Sequence, residues 1–434
     1  MTHRSPASRI LKVDALARVE GEGAMHIEIR DGRVHDVQLR IYEPPRFFEA
    51  FLRGRRFTEP PDICARICGI CPVAYQMSAC QAIEDACGVS VDGPLRDLRR
   101  LLYCGEWIES HTLHIYLLHA PDFLGYANAV ELATEHRDVV QRGLDLKKVG
   151  NEILEVIGGR AIHPVNVKVG GFYRVPTKRE LAPLTERLKG ALDTALDTVR
   201  WVAGFDFGDF DHSLELVALR HPTEYAVLGD RLVSTGGLDI GPAEFDDHII
   251  ESQVERSTAL HAHLLERGEY LLGPMARFAL NHDRLDPVAA AAAREAGLEP
   301  SERNPFRSII VRAVEVAHAC AEALRIIDAY EPPDRPAVDV EPRAGIGVGW
   351  TEAPRGTLWH RYEIDESGTI LDARIVPPTS QNQPAIEHDL FHFVEAHAHL
   401  DDVELGLRCE QAIRNYDPCI SCATHFLDVT VVRS

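Results

Sequence analysis

The chain has 434 residues, 45% of them hydrophobic and 26% charged, the balance of a soluble globular protein with room for one large domain or two ordinary ones. A formal charge of −21 excludes nucleic acid and anionic membrane surfaces as natural partners. No apolar run approaches the ~18–20 residues that span a bilayer, the first ten residues show no secretory pattern, and ten cysteines in so long a chain suit a reducing compartment, here the cytoplasm, better than a disulfide framework.

From the N-terminus, residues 1–45 read as β-rich. Met25–Arg30 and Val34–Ile41 alternate apolar and polar side chains around Asp31-Gly32, a hairpin signal. Helical spacing over Arg46–Arg55 is expected to stop at Pro60-Pro61. Pro72 then suits the first turn of a helix running to about Cys87, whose positive N-terminal end should stabilise thiolate at Cys71. Leu95–His119, Ala129–Ile157 and Glu180–Phe205 read as long helices. Asp206–Glu244 is rich in Gly and Asp and reads as loops and short strands. Glu244–Leu271, Ala289–Ala296 and Asn304–Ala329 read as further helices. After the proline-containing stretch 332–340, residues 345–376 turn β-like, with a turn at Ser367-Gly368. His388–Glu395 and Asp401–Tyr416 are the last expected helices, before a β-branched tail over Leu427–Val432. No repeat, low-complexity run or linker divides the chain. The expectation is one unit over residues 1–434, mainly α with β decoration.

Two Cys-x-x-Cys pairs stand nearly a full chain apart. Arg66-Ile-Cys-Gly-Ile-Cys71 holds Cys68 and Cys71, and Asp417-Pro-Cys-Ile-Ser-Cys-Ala-Thr-His425 holds Cys419 and Cys422. Gly69 suggests a tight turn between the first two thiols. One such pair alone is compatible with a redox dithiol or half a zinc site. Structural zinc usually collects its ligands within a short stretch. Four thiolates gathered from both ends would sit at the centre of a large fold, which suits a catalytic metal, although zinc and redox readings stay open on spacing alone. His111, His114 and His119 lie on one expected helix and read as core hydrogen-bonding residues. Cys64, Cys80, Cys87, Cys104, Cys320 and Cys409 lack iron–sulfur spacing and read as small core residues.

The two cysteine motifs resemble the defining motifs of nickel–iron hydrogenase large subunits. Along the whole length Arg18-Val-Glu-Gly21, Arg46-Phe-Phe-Glu49, His111-Thr-Leu-His114, His163-Pro164, Gly273-Pro274, Glu352–Gly356 and Pro378–Asn382 also resemble family blocks, in order. Cys71-Pro-Val-Ala-Tyr-Gln76 is similar to the cytoplasmic, NAD(P)-linked branch that includes the sulfhydrogenases. The resemblance implies a multi-helix large-subunit fold with an N-terminal antiparallel β region, and reversible heterolytic cleavage of H2. Cys68, Cys71, Cys419 and Cys422 would bind nickel, with Cys71 and Cys422 also bridging to an iron that carries CO and CN ligands. Such soft thiolates suit those metals.

By the same resemblance Glu20 relays a proton from Cys419, and Arg355, partnered by Asp417, stands over the open face of the centre. Ser110 replaces the Asp that relatives commonly have beside that arginine. Thr379 aligns with a residue that hydrogen-bonds a cyanide, its blander reading being a turn residue after two prolines. Glu49 and His425 match ligands of a Mg2+ or Fe2+ ion near the C-terminus. Phe426–Ser434 would be removed by a maturation endopeptidase, with nickel supplied by insertion proteins. The chain carries neither further cluster motifs nor a dinucleotide-binding glycine fingerprint. The resemblance therefore implies a small subunit with iron–sulfur clusters and FAD/NAD(P)-binding diaphorase partners. Another soluble carrier, sulfur reduction, a zinc-stapled scaffold and a non-catalytic complex I-like relative are the alternatives; the four cysteines speak against the last.

Overall fold

A computed structural model describes residues 8–211 and 213–424. The expected hairpin forms. Strands Arg9–Val13, Gly23–Arg30 and Arg33–Ile41 make an antiparallel sheet in that order, turning at Asp31 and Gly32, both with positive φ. Its buried face, including Met25, Ile27 and Leu39, packs with helices Pro378–His397 and Asp402–Arg414 around Leu390, Val394 and Leu405.

The long helices form the main body: Pro72–Cys87, Gly93–Leu113, Arg137–Gly158, Lys178–Ala203 and Ser308–Ala329. Their apolar faces merge into one core that encloses Cys68, Cys71, Cys419 and Cys422. The Gly93–Leu113 helix widens into a π-helical turn over His114–His119, a distortion often found near functional sites. Strands Gly345–Ala353, Gly356–Ile364 and Ile370–Val376 form an antiparallel sheet laid on Pro72–Cys87. The approach is close: a Cβ at Gly347 would stand 2.0 Å from the Ala82 carbonyl oxygen. The backbone contact holds the helix start at Cys71 and the sheet's Pro354-Arg355 turn in a fixed relation.

Several elements differ from the sequence reading. Helix replaces little of Arg46–Arg55, only Phe48–Leu52, and Pro60-Pro61 opens a short helix, Pro60–Cys64, because proline fits a first turn. The Ala129–Ile157 helix breaks at His136. Residues 244–271 are not a helix. After Phe245–His248 the chain forms paired strands Ile249–Ser252 and His261–Leu264, then Tyr270–Leu271. Ala262 and Leu264 enter the core while His261 and His263 take the other face, a period of two that a short run cannot distinguish from a helix. The last expected helix pair is longer at its start: His388–Glu395 lies inside Pro378–His397. The tail over Leu427–Val432 lies outside the described residues. Among the described residues no helix is long and apolar enough to cross a membrane.

Candidate metal centre

Cys71 is the N-cap of the Pro72–Cys87 helix, and Cys68 lies one turn before it. Cys419 precedes the short Ile420–Ala423 helix, which carries Cys422. The two pairs meet. Cys68 and Cys419 sulfurs are 3.5 Å apart, Cys71 and Cys422 3.4 Å, and Cys419 and Cys422 2.7 Å. All four lie within 4.8 Å of one another, about twice a ~2.3 Å metal–sulfur bond. At most 3% of any of the four residues is exposed.

Two backbone devices and one side chain close the chain ends together. Ile420 N–H donates to the Glu20 carbonyl at 2.9 Å, and Glu20 bridges Cys419 as a parallel β partner. Gly21 (φ +87) makes this possible: a Cβ there would meet Ile420 Cβ at 2.7 Å and Ser421 N at 2.9 Å. Arg46 then clamps both cysteine segments, donating to the carbonyls of Ile67, at 2.7 Å, and Ser421. Sequence reasoning placed Arg46 in a family block without a role; a guanidinium reaching carbonyls on both pairs is visible only once the ends meet.

The acidic and basic groups around the thiols are as follows. The Cys419 thiol faces Glu20 Oε2 at 3.1 Å, and the same oxygen accepts from Ser421 N–H at 3.0 Å. Burial, then the nearby charge of Cys68, push the Glu20 carboxyl above its ordinary range. Arg355 donates from Nε to the Asp417 carbonyl at 2.7 Å and from Nη2 to the Asp417 carboxylate at 3.2 Å. Its Nη1 reaches Ser110 Oγ at 3.4 Å, so the serine keeps a contact to the arginine without supplying charge. Asp417 holds a left-handed backbone (φ +50), which Asp tolerates better than most residues. Thr379 is buried in the first turn of Pro378–His397, and its Oγ1 accepts from Cys419 N–H at 3.0 Å. A turn after two prolines is therefore not its place.

Two expectations change. The free N–H groups of Val73 and Ala74 at the helix start donate to buried Glu106, at 2.6 and 3.2 Å, so the helix end is capped by a carboxylate and not by thiolate. Gly69 has no positive φ, and a Cβ there would come no closer than 3.8 Å to Ile162, so no tight turn demands it. Glu49 accepts from Ile375 N–H at 2.7 Å, and burial pushes its carboxyl up to about 8. His425 lies outside the described residues. His111 Nε2 is 2.9 Å from Glu315 Oε2, His114 Nε2 is 2.8 Å from the Arg414 carbonyl, and His119 pairs with Asn415 while its ring meets those of His114 and Phe123, as core histidines should. All ten cysteines are free, and burial pushes Cys64 and Cys409 up to about 12, which makes them inert thiols.

The donor set fits a soft metal. Hydrogen bonds from the neighbouring thiols pull Cys68 far below the ordinary thiol range, while burial pushes Cys419 up. Four soft sulfurs converging in a buried site match the ligand preference of a soft transition-metal ion.

A family profile described as nickel-dependent hydrogenase matches residues 46–142 and 311–425. Sulfhydrogenase 1 subunit alpha of Pyrococcus furiosus is 33% identical over 419 residues, covering 96% of this chain and 97% of that protein. NAD-reducing hydrogenase HoxS subunit beta of Cupriavidus necator is 29% identical, covering 97% and 95%. Among solved structures, the crystal structure of an NAD+-reducing NiFe-hydrogenase in the H2-reduced state superposes with a TM-score of 0.86 at 28% identity, covering 97% of this chain and all of that one. The likeness runs from end to end and spans both cysteine pairs, and this chain belongs to the nickel-dependent hydrogenase family, as a catalytic subunit.

Proposed function

We propose that the chain folds as a single large-subunit unit and cleaves H2 reversibly at a nickel–iron centre held by Cys68, Cys71, Cys419 and Cys422. The observation that carries this reading is the convergence of four buried thiols from opposite chain ends with a carboxylate on one of them. When bound, the centre supplies Lewis-acid polarisation that makes H2 acidic. The protein's own groups handle the proton. Cys419 Sγ holds it at 3.1 Å from Glu20 Oε2, and the raised affinity of that carboxyl suits it to take a proton from a thiol. Arg355 stays charged and is fixed by Asp417, so it orients and stabilises negative charge at the open face. Thr379 accepts from Cys419 N–H with its oxygen, and its own O–H would be the group to donate to a cyanide on the iron. Glu49 and His425 are assigned to a Mg2+ or Fe2+ ion.

Electrons leave through a small subunit with iron–sulfur clusters and reach NAD(P) on a diaphorase partner; likeness to an NAD-reducing relative supports this. Sulfur or another soluble carrier is the second reading, supported by likeness to sulfhydrogenase alpha. We place the enzyme in the cytoplasm, matured by nickel-insertion proteins and an endopeptidase that removes Phe426–Ser434. Metal analysis with infrared spectroscopy of the purified complex tests the centre: nickel and iron near one to one, with CO and CN bands, are expected, and zinc alone refutes it. Intact mass tests the processing, and an active chain that still ends at Ser434 overturns it.

A further inference from the structure

The block Arg18-Val-Glu-Gly21 is only half used by the chemistry above: Glu20 has a role there and Arg18 has none. Arg18 holds a left-handed backbone (φ +58), which is uncommon for a long side chain. Its Nη1 donates to the Leu118 carbonyl at 2.8 Å, and its Nη2 donates to Asp122 Oδ1. Asp122 stands in the short helix Ala120–Leu124, directly after the π-helical turn. The same carboxylate receives a second guanidinium. Arg414 donates from Nε to Asp122 Oδ2 at 2.7 Å and from Nη2 to Oδ1 at 2.9 Å, and its Nη1 reaches the Ala17 carbonyl at 2.9 Å.

The side chains of Asp122 and Arg414 are 5% and 3% exposed. Buried ion pairs contribute little to stability, because desolvation offsets the attraction; fixing a register is their better-attested use. The register fixed here is that of the proton relay. Arg18 lies two residues before Glu20, and Arg414 lies five before Cys419. The two segments are tied again at Glu20, whose carbonyl accepts from Ile420 N–H at 2.9 Å and whose Oε2 accepts from Ser421 N–H at 3.0 Å. Only Val19 lies between the ties on the first segment. On the second, Asp417 lies between them and is itself held by Arg355. The 3.1 Å from Cys419 Sγ to Glu20 Oε2 is thus set from two sides, by the tie at Ile420 and by the charged clasp at Asp122.

We propose that Asp122 is a positioning residue for proton transfer: by gripping Arg18 and Arg414 together it holds Glu20 within reach of the Cys419 sulfur. The proposal rests on the relay reading given above, and Asp122 acts only through the two arginines.

The test uses the assembled, nickel-loaded enzyme. Asp122→Asn keeps the size of the side chain and removes the charge that both guanidinium groups share. Arg18→Gln leaves the Asp122–Arg414 pair whole and serves if the first variant fails to fold. Exchange of H2 with D2O is expected to fall about tenfold in each, at unchanged nickel, iron and infrared bands, because a displacement of about 1 Å can cost up to ~10²-fold. Asp122→Glu, which keeps the charge, should recover part of the loss. Two readouts separate positioning from plain destabilisation. Amide exchange read by mass spectrometry should be faster at Ile420 and Ser421, whose N–H groups Glu20 holds, well below the Tm. In a Glu20→Gln background, Asp122→Asn should cost no further activity, because the group it positions is already gone. The proposal is overturned if both variants exchange H2 within about twofold of wild type, or if the losses from Asp122→Asn and Glu20→Gln multiply. A slow Glu20→Gln enzyme beside normal Asp122 and Arg18 variants sinks the clasp alone, whereas a Glu20→Gln enzyme with wild-type exchange removes the relay and the clasp's role with it.

Discussion

Replacing Glu20 by Gln tests the proton path with little disturbance to the fold. The backbone bond from Ile420 N–H to the Glu20 carbonyl is untouched, and a glutamine oxygen can still accept from Ser421 N–H. The lost property is the ability to take a proton from the Cys419 sulfur 3.1 Å away. A positioned general base is worth about 10²–10⁴-fold. Glu20 is only partly buried, so water can stand in for some of the transfer, and the expected loss is about 10²–10³-fold, or about 3–4 kcal/mol in the barrier. The assay is H2 oxidation with a dye acceptor alongside exchange of H2 with D2O, on enzyme whose nickel, iron and infrared bands match wild type. Both rates should fall together. Glu20→Asp, with the carboxylate drawn back, should recover part of the loss. A fully loaded Gln variant that exchanges within fivefold of wild type would refute the relay.

Arg277 is fully buried and donates to Glu315 (2.8 Å), Glu352 (2.9 Å) and the carbonyls of Ala353 (2.9 Å) and Pro354 (2.8 Å). Arg277→Met takes the guanidinium from two buried carboxylates, leaving Glu315 with His111 and Tyr225 and Glu352 with Leu219 N–H and Thr357, and costs about 3–5 kcal/mol; in a chain this long that lowers Tm by about 3–6 °C. Calorimetry checks it, and a Tm within 1 °C of wild type contradicts it. Burial holds His318 neutral, down to about 4. Its folded affinity lies below the ~6.5 of the unfolded chain, so the unfolded state binds more protons between those values and His318 withdraws stability as pH falls through them. Wild type should lose about 2 kcal/mol more than His318→Gln between pH 7 and pH 5. Denaturant unfolding at both pH values measures it, and equal losses refute the sign. Arg355→Lys keeps the charge but not the fork to Asp417 and Ser110. Activity should drop more than tenfold at unchanged metal content, and a drop below twofold would remove the orienting role.

The parts of the fold that were legible in the sequence are those with strong local chemistry. Asp31-Gly32 set the first hairpin, and Pro72 set the start of the helix behind Cys71. Residues 244–271 were misread because Ile249-Ile250 and Ala259-Leu260 fit helical spacing as well as alternation, and the pairing that decides between them is non-local. The same division holds at the site. Cys68, Cys71, Cys419 and Cys422 could be named from motif spacing. Glu106 at the helix start and Arg46 between the cysteine segments could not, because each acts on backbone groups that only the folded chain brings near.

The centre depends on the whole chain in a way that a stapling metal site does not. Glu20 on one side, Arg46 and Cys68 on the next segment, Arg355 on a sheet turn and Thr379 at a helix start all contact residues 417–422. Most of these contacts span hundreds of residues, the non-local kind whose loop-closure cost must be met before the contact rewards it. Their partners are polar groups that would be costly to bury unpaired: a carboxyl, two guanidinium groups, a hydroxyl and the thiols of Cys68 and Cys71. The last segment to be made is thus the one that satisfies the rest. Until Cys419 and Cys422 dock, Cys68 and Cys71 are half a ligand set, Arg46 has only the Ile67 carbonyl of its two clamp points, and Arg355 lacks Asp417. A metal that must be held by both pairs then adds its binding energy to closure of the fold. In this architecture, completing the centre and completing the core are one event.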